Sequence, residues 1–141
     1  MTYNEKLAYL RGYRQQEHHI DTLLAEAERW RSRAKAMTAH YGAGGAKGGS
    51  SGFPGAVEKV LELEAQMGRE IDAITAQRNA IRAAVQGLSD RRYRDVLNLH
   101  YLGGLPIHKV AEKLHYEEKY TYKLRRKGVK ALPLEEYLPG E

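Results

Sequence analysis

The sequence contains no cysteine. Disulfides and thiolate metal sites are therefore excluded, which fits a reducing compartment such as the cytoplasm of a bacterial host. No run of about 18 apolar residues occurs, so neither a transmembrane helix nor a membrane partner is expected. The opening residues Met1-Thr2-Tyr3-Asn4-Glu5-Lys6 lack an apolar core, so no secretory signal is expected. The six histidines, His18, His19, His40, His100, His108 and His115, form no His-x-x-x-His or HExxH pair. His18 and His19 are adjacent, so on a helix they point about 100° apart and do not share a ligand. No nucleophile elbow or Ser-His-Asp arrangement stands out. An enzyme, a metal site and a cofactor are all unexpected on these grounds.

What is present suits a folded chain. Hydrophobic residues make up 42% and charged residues 29%, a balance that excludes wholesale disorder. Net charge is +5, and it is unevenly spread. Ser89 to Leu132 holds eleven Lys and Arg against five Asp and Glu, a net of +6. The residues before it net +2 (twelve against ten), and the tail after Leu132 nets −3 through Glu135, Glu136 and Glu141. A local basic field attracts polyanions and releases their counterions on binding.

The predicted fold class is all-α: a long antiparallel helical (coiled-coil) hairpin followed by a C-terminal helix-turn-helix. A long helix is expected over 1–41, free of proline and rich in Ala, Leu, Glu, Arg and Gln. Its apolar stripe is read as Tyr13, Ile20, Leu24, Ala27 and Ala34, near a heptad, flanked by Leu10, Leu23, Trp30 and Met37. Glu17 and Arg31 interrupt that stripe. Residues 42–55, Gly-rich throughout, are expected to be a flexible linker. They are not a phosphate loop: Lys47 lies between Ala46 and Gly48, without the flanking Gly and Ser/Thr that a Walker motif requires. A second long helix is expected over 56–87, with Pro54 as its start signal. Its 4-3 alternation is Val60, Glu64, Met67, Ile71, Ile74, Arg78, Ile81, Val85 and on to Leu88. Each helix would span roughly 50 Å at about 1.5 Å per residue. A two-helix hairpin has little interior, so a homodimer, or packing by the C-terminal unit, is expected to complete its seams.

The segment 88–132 carries the densest signals. Ser89 is the expected N-cap of a new helix, with Asp90 at the positive end of its dipole. Val96, Leu97, Leu99, Tyr101 and Leu102 supply an apolar face. Gly103-Gly104-Leu105-Pro106 stops one helix and starts another, with Pro106 at a first helical position. A short helix, Ile107 to Leu114, would bury Ile107, Val110, Ala111 and Leu114. A corner at His115-Tyr116 leads to a last helix from Glu117 to Leu132, stopped by Pro133. In a helix-turn-helix the first helix needs a small residue where the second crosses, and Ala111 supplies it. Thr121, Leu124 and Gly128 then point inward. The outward face holds Glu118, Lys119, Tyr122, Lys123, Arg126 and Lys127. Lys and Arg can bond guanine edges or phosphates, Tyr can meet a phosphate or a thymine methyl, and Glu118 can accept from cytosine.

The run from Leu88 to Leu114 resembles the start of sigma-factor region 4, "L-x-x-R-x-R-x-V-L-x-L-x-Y-L-x-G-L-S-x-x-E-I-A-x-x-L". The likeness covers about a third of the chain. The sequence departs from it at Lys109, in place of an acidic residue, at His115, in place of a turn glycine, and at Gly128, in place of an alanine. With no sigma region 2 seen upstream, the layout is similar to phage and prophage late-gene regulators of the RinA/ArpU type. That likeness implies a transcription regulator that binds double-stranded DNA near a promoter and contacts bacterial RNA polymerase. Two alternatives stand beside it: a DNA-packaging factor like a phage terminase small subunit, and a coiled-coil interaction module that contacts RNA polymerase.

Overall fold

The computed structural model describes residues 1–44 and 52–138, and the side chains of 1–36 and 55–138. All regular structure among them is helical, with no strand. Five α-helices follow in order: α1 (Tyr3–Gly44), α2 (Gly52–Gln86), α3 (Arg91–Leu97), α4 (Ile107–Leu114) and α5 (Glu118–Ala131). A π-helical turn (Asn98–Leu102) and a 3-10 turn (Leu134–Glu136) complete the set. No described helix is long and apolar enough to cross a membrane.

Two units emerge, one of residues 17–73 and one combining 1–16 with 74–141. In the first, Leu23 and Ala27 of α1 pack on Leu63 and Met67 of α2, with Trp30 against them. His19 reaches Glu70 at 3.3 Å, while Arg31 pairs with Glu64, so the two helices run in opposite directions here. The observed seam is displaced by one position from the expected one where Leu23 and Leu63 pack. Leu23, not Leu24, is buried on α1, and Leu63, not Glu64, on α2. Ile71 is likewise exposed. Both helices offer apolar residues at neighbouring positions, and only the direction of packing selects between them. Arg31 and Glu64 therefore do not interrupt the seam; they flank it and meet each other.

Helix boundaries also shift. α1 and α2 extend to Gly44 and back to Gly52, into the expected linker. Adding residues to an existing helix costs far less than nucleating one, which lets glycines continue it. Residues 45–51 of that linker, and the Met37 and His40 side chains, lie outside the described residues. α2 stops at Gln86, two residues before Leu88, where Gly87 turns the chain.

In the second unit the expected N-cap moves by one. Asp90, not Ser89, caps α3, accepting from Arg92 N at 2.9 Å. The helix then widens, as Gly103 N donates to Asn98 O, five residues back, at 2.7 Å. A Cβ on Gly103 would stand 2.7 Å from Leu99 O, so only glycine fits there. Gly104 follows with φ +73°. Pro106 is the N-cap of α4 and not its first helical residue, with extended backbone at φ −66°, ψ 157°. α5 likewise starts at Glu118, one residue late, and ends at Ala131.

The core of this unit gathers Val96, Val110 and Leu124, from α3, α4 and α5, under Tyr93, Leu99, Leu105, Leu114, Tyr116 and Tyr120. Gly128 lets α5 approach α3: a Cβ there would meet Leu97 and Tyr93 at 3.3 Å. Leu10 and Tyr13 of α1 and Ile81 and Val85 of α2 are also buried. Arg78, expected as a polar break in the α2 stripe, donates to Tyr13 Oη at 2.6 Å and to Leu102 O at 3.3 Å. The segment 133–141, expected to be a tail, starts with Leu134 fully buried in the core.

Candidate nucleic-acid interface

The corner between α4 and α5 sets the geometry of the candidate site. His115 sits in the left-handed region, φ 59°, ψ 40°, the only described non-glycine residue with positive φ. Tyr116 N donates to Ala111 O at 2.9 Å and His115 N to Glu112 O at 3.3 Å. These two bonds form a Schellman turn, which satisfies the carbonyls at the end of α4. Tyr116, just past the turn, packs on the Val96–Val110–Leu124 cluster. The chain thus reverses within three residues, and α5 crosses α4 where Ala111 is buried.

Thr121, Leu124 and Gly128 face inward and are buried. Thr121 is the polar member of this set. Its hydroxyl donates to Glu117 O at 2.9 Å, which removes the cost of burying it. With those three inward, Glu118, Lys119, Tyr122, Lys123, Arg126 and Lys127 are all exposed. The helix brings them onto one broad surface. Within it, Lys119, Lys123 and Arg126 lie at spacings of four and three and form a narrower stripe. The Arg126 guanidinium stands 6.0 Å from the Tyr3 ring, so one edge of the surface borders the start of α1. Arg125, half-buried, leans instead over the Tyr122 ring at 5.3 Å.

Three further residues belong here that the sequence reading left out. Lys130 is exposed and continues the stripe one turn beyond Arg126; the same spacing would have found it. Lys6 is buried and donates through Nζ to Lys130 O at 3.0 Å, capping the negative end of α5. Arg92 grips Asp90 through Nη2 to Oδ2 at 2.8 Å and Nε to Oδ1 at 3.2 Å, and donates to Tyr120 Oη at 2.7 Å. The pair raises the pKa of Arg92 and lowers that of Asp90, while the Tyr120 bond braces α3 against α5. Neither the Lys6 cap nor the Arg92–Tyr120 brace has a local sequence signal, because each joins residues distant in the chain, whereas the Arg92–Asp90 pair spans only two positions.

The chain matches no family model, no curated protein and no solved structure. The arrangement must therefore be judged on its own chemistry. It is an exposed basic face on a braced helix. Among the described residues no three His, Asp or Glu side chains gather to hold a metal ion. An exposed helix face bearing cations, an aromatic and one carboxylate offers groups of the kind that pair with phosphates and base edges.

Proposed function

We propose that this chain is a sequence-specific binder of double-stranded DNA that regulates transcription. In this reading residues 17–73 are an antiparallel helical hairpin. α4 and α5 are the supporting and reading helices of a helix-turn-helix, and α5 lies in the major groove. The observation that carries it is the α4–α5 corner: Thr121, Leu124 and Gly128 are buried there, and Lys119, Tyr122, Lys123 and Arg126 are left outward. The net charge of +6 on 89–132 supports it, since phosphate contacts supply most non-specific affinity. The resemblance of 88–114 to sigma-factor region 4 favours regulation over packaging.

The test is selection of bound sites from random duplex DNA, followed by titration of the enriched site at fixed salt. Lys123→Ala and Arg126→Ala are each expected to weaken binding by about 1–3 kcal/mol, roughly 5- to 150-fold. Parent-like affinity in both variants, with no enriched motif, would refute the assignment of this face.

A further inference from the structure

Arginines converge where the start of α1 passes α5. Arg14 Nη1 lies 3.3 Å from His100 Nε2, and the His100 and Tyr101 rings meet edge-on at 4.6 Å. Burial, joined by Tyr3, raises the pKa of the Tyr101 hydroxyl, and Arg125, Arg11 and Arg14 oppose it. Burial lowers the pKa of His100, with Arg14 and Arg125 adding to it. Tyr101 and His100 are thus the common neighbours of cations from two helices.

Two donors in this cluster lack an acceptor. Tyr101 is 1% exposed, yet its hydroxyl bonds no described group. Arg125 Nε is enclosed and has no hydrogen-bond partner. Among the described residues no ion pair joins Arg11, Arg14 or Arg125 to a carboxylate. Along the two helices the nearest acids are Glu17, one turn past Arg14, and Glu118, two turns before Arg125. The cations are also held in place. His100 Nδ1 donates to Leu105 O at 2.7 Å, which leaves Nε2 to accept from Arg14. Arg125 lies over the Tyr122 ring at 5.3 Å. Fixed guanidinium groups without a counter-charge favour an anion, and their forked N–H groups match the oxygens of phosphate.

We propose that Arg11, Arg14, Arg125 and the Tyr101 hydroxyl form a phosphate-binding site, filled by a backbone phosphate of the duplex that α5 reads. The phosphate chemistry stands without DNA; its assignment to the duplex rests on the proposed function. Position supports that assignment. Arg125 stacks on Tyr122 and precedes Arg126, whose guanidinium borders Tyr3 of α1 at 6.0 Å, so the site adjoins the outward face of α5. A helix in the major groove has a phosphate backbone on either side. The start of α1 would then set the register of α5 on the duplex without touching a base.

The first arm of the test uses no DNA. Inorganic phosphate is titrated into the full chain at fixed pH, with sodium acetate at matched ionic strength as control, and the His100 ring resonances are followed. Phosphate is expected to give a saturable shift and acetate none. Arg11→Gln, at an exposed position, and Tyr101→Phe, which keeps the ring, are each expected to weaken phosphate binding by about tenfold, the worth of a hydrogen bond to a charged group. The second arm measures the selected duplex and a scrambled one across a salt series. Arg11→Gln/Arg14→Gln is expected to weaken both alike and to make the salt slope shallower by about 1.8. No saturable shift in the parent, an equal response to acetate, or variants that bind phosphate like the parent overturns the site. A phosphate shift with an unchanged duplex slope in the double variant overturns the backbone assignment and makes the ligand a free phosphate. A parent that binds phosphate but no duplex refutes the DNA reading and the backbone assignment together, and upholds the site.

Discussion

At His100, burial and hydrogen bonding act together on a single proton. Its Nδ1 donates to Leu105 O at 2.7 Å, and its Nε2 lies 3.3 Å from Arg14 Nη1, which can only donate. Both ring nitrogens are therefore satisfied by the neutral form. Burial is the main cause that lowers the pKa to about 4, with Arg14 and Arg125 adding to it and the Leu105 bond opposing. The sign of the linkage follows. Below the unfolded value of 6.5 the unfolded chain takes up a proton that the folded chain refuses until about pH 4. The contribution of His100 is thus complete at pH 7 and lost as pH falls through that window. Between pH 7 and pH 5 it should lower the unfolding free energy by about 2 kcal/mol, at 1.36 kcal/mol per unit. Urea titrations at the two pH values measure this directly. In His100→Asn the difference should shrink to a small remainder; an unchanged pH dependence in that variant would show that another group titrates.

At the scale of elements, the α4–α5 corner depends on a residue poorly suited to its backbone. Left-handed geometry costs a residue with a Cβ about 1–2 kcal/mol, although His tolerates it better than most. Glycine avoids that cost but loses more entropy on folding, about 0.5–1 kcal/mol. His115→Gly should therefore stabilise the chain by about 0.5–1 kcal/mol, and His115→Val should destabilise it. The midpoint of urea unfolding reads both, and a lower midpoint for His115→Gly would mean that the imidazole makes contacts worth more than the strain. This corner was legible in the sequence because its signals are local. Gly103-Gly104-Leu105-Pro106 marks the break, Ala111 and Leu114 the crossing, and Thr121, Leu124 and Gly128 the inward side. The long helices were legible as helices but not in their facing. Leu23 and Leu24 are chemically the same, and only contact with Leu63 and Met67 decides which is buried. The π-turn at Asn98–Leu102 was not legible either. It needs one hydrogen bond from Gly103 and space beside Leu99 O, neither of which any periodicity reports.

For the whole molecule, the decisive quantity is how its charge is arranged. A net of +5 spread evenly would bind any polyanion weakly, and binding would reflect little more than a diffuse field. Here Lys119, Lys123, Arg126, Lys127 and Lys130 are exposed on one helix whose inward side is locked in the core. Such a helix can bring several cations to the phosphates on both edges of a groove together. If four or five phosphates are neutralised per chain, the logarithm of affinity should fall with the logarithm of salt at a slope of about −3.6 to −4.5. Phosphate and base contacts should then separate by variant. In the proposed DNA-binding reading, Lys127, exposed on the flank of the surface, contacts phosphate. Lys127→Ala should weaken all duplexes alike and make the slope shallower by about 0.9. Arg126→Ala, if the guanidinium reads a base, should instead relax the preference at one position of the selected site. The comparison is made on the selected duplex and a scrambled one across a salt series. A slope near zero for the parent would refute phosphate neutralisation by α5, and equal losses on both duplexes from both variants would leave α5 as a basic surface that holds DNA without reading it.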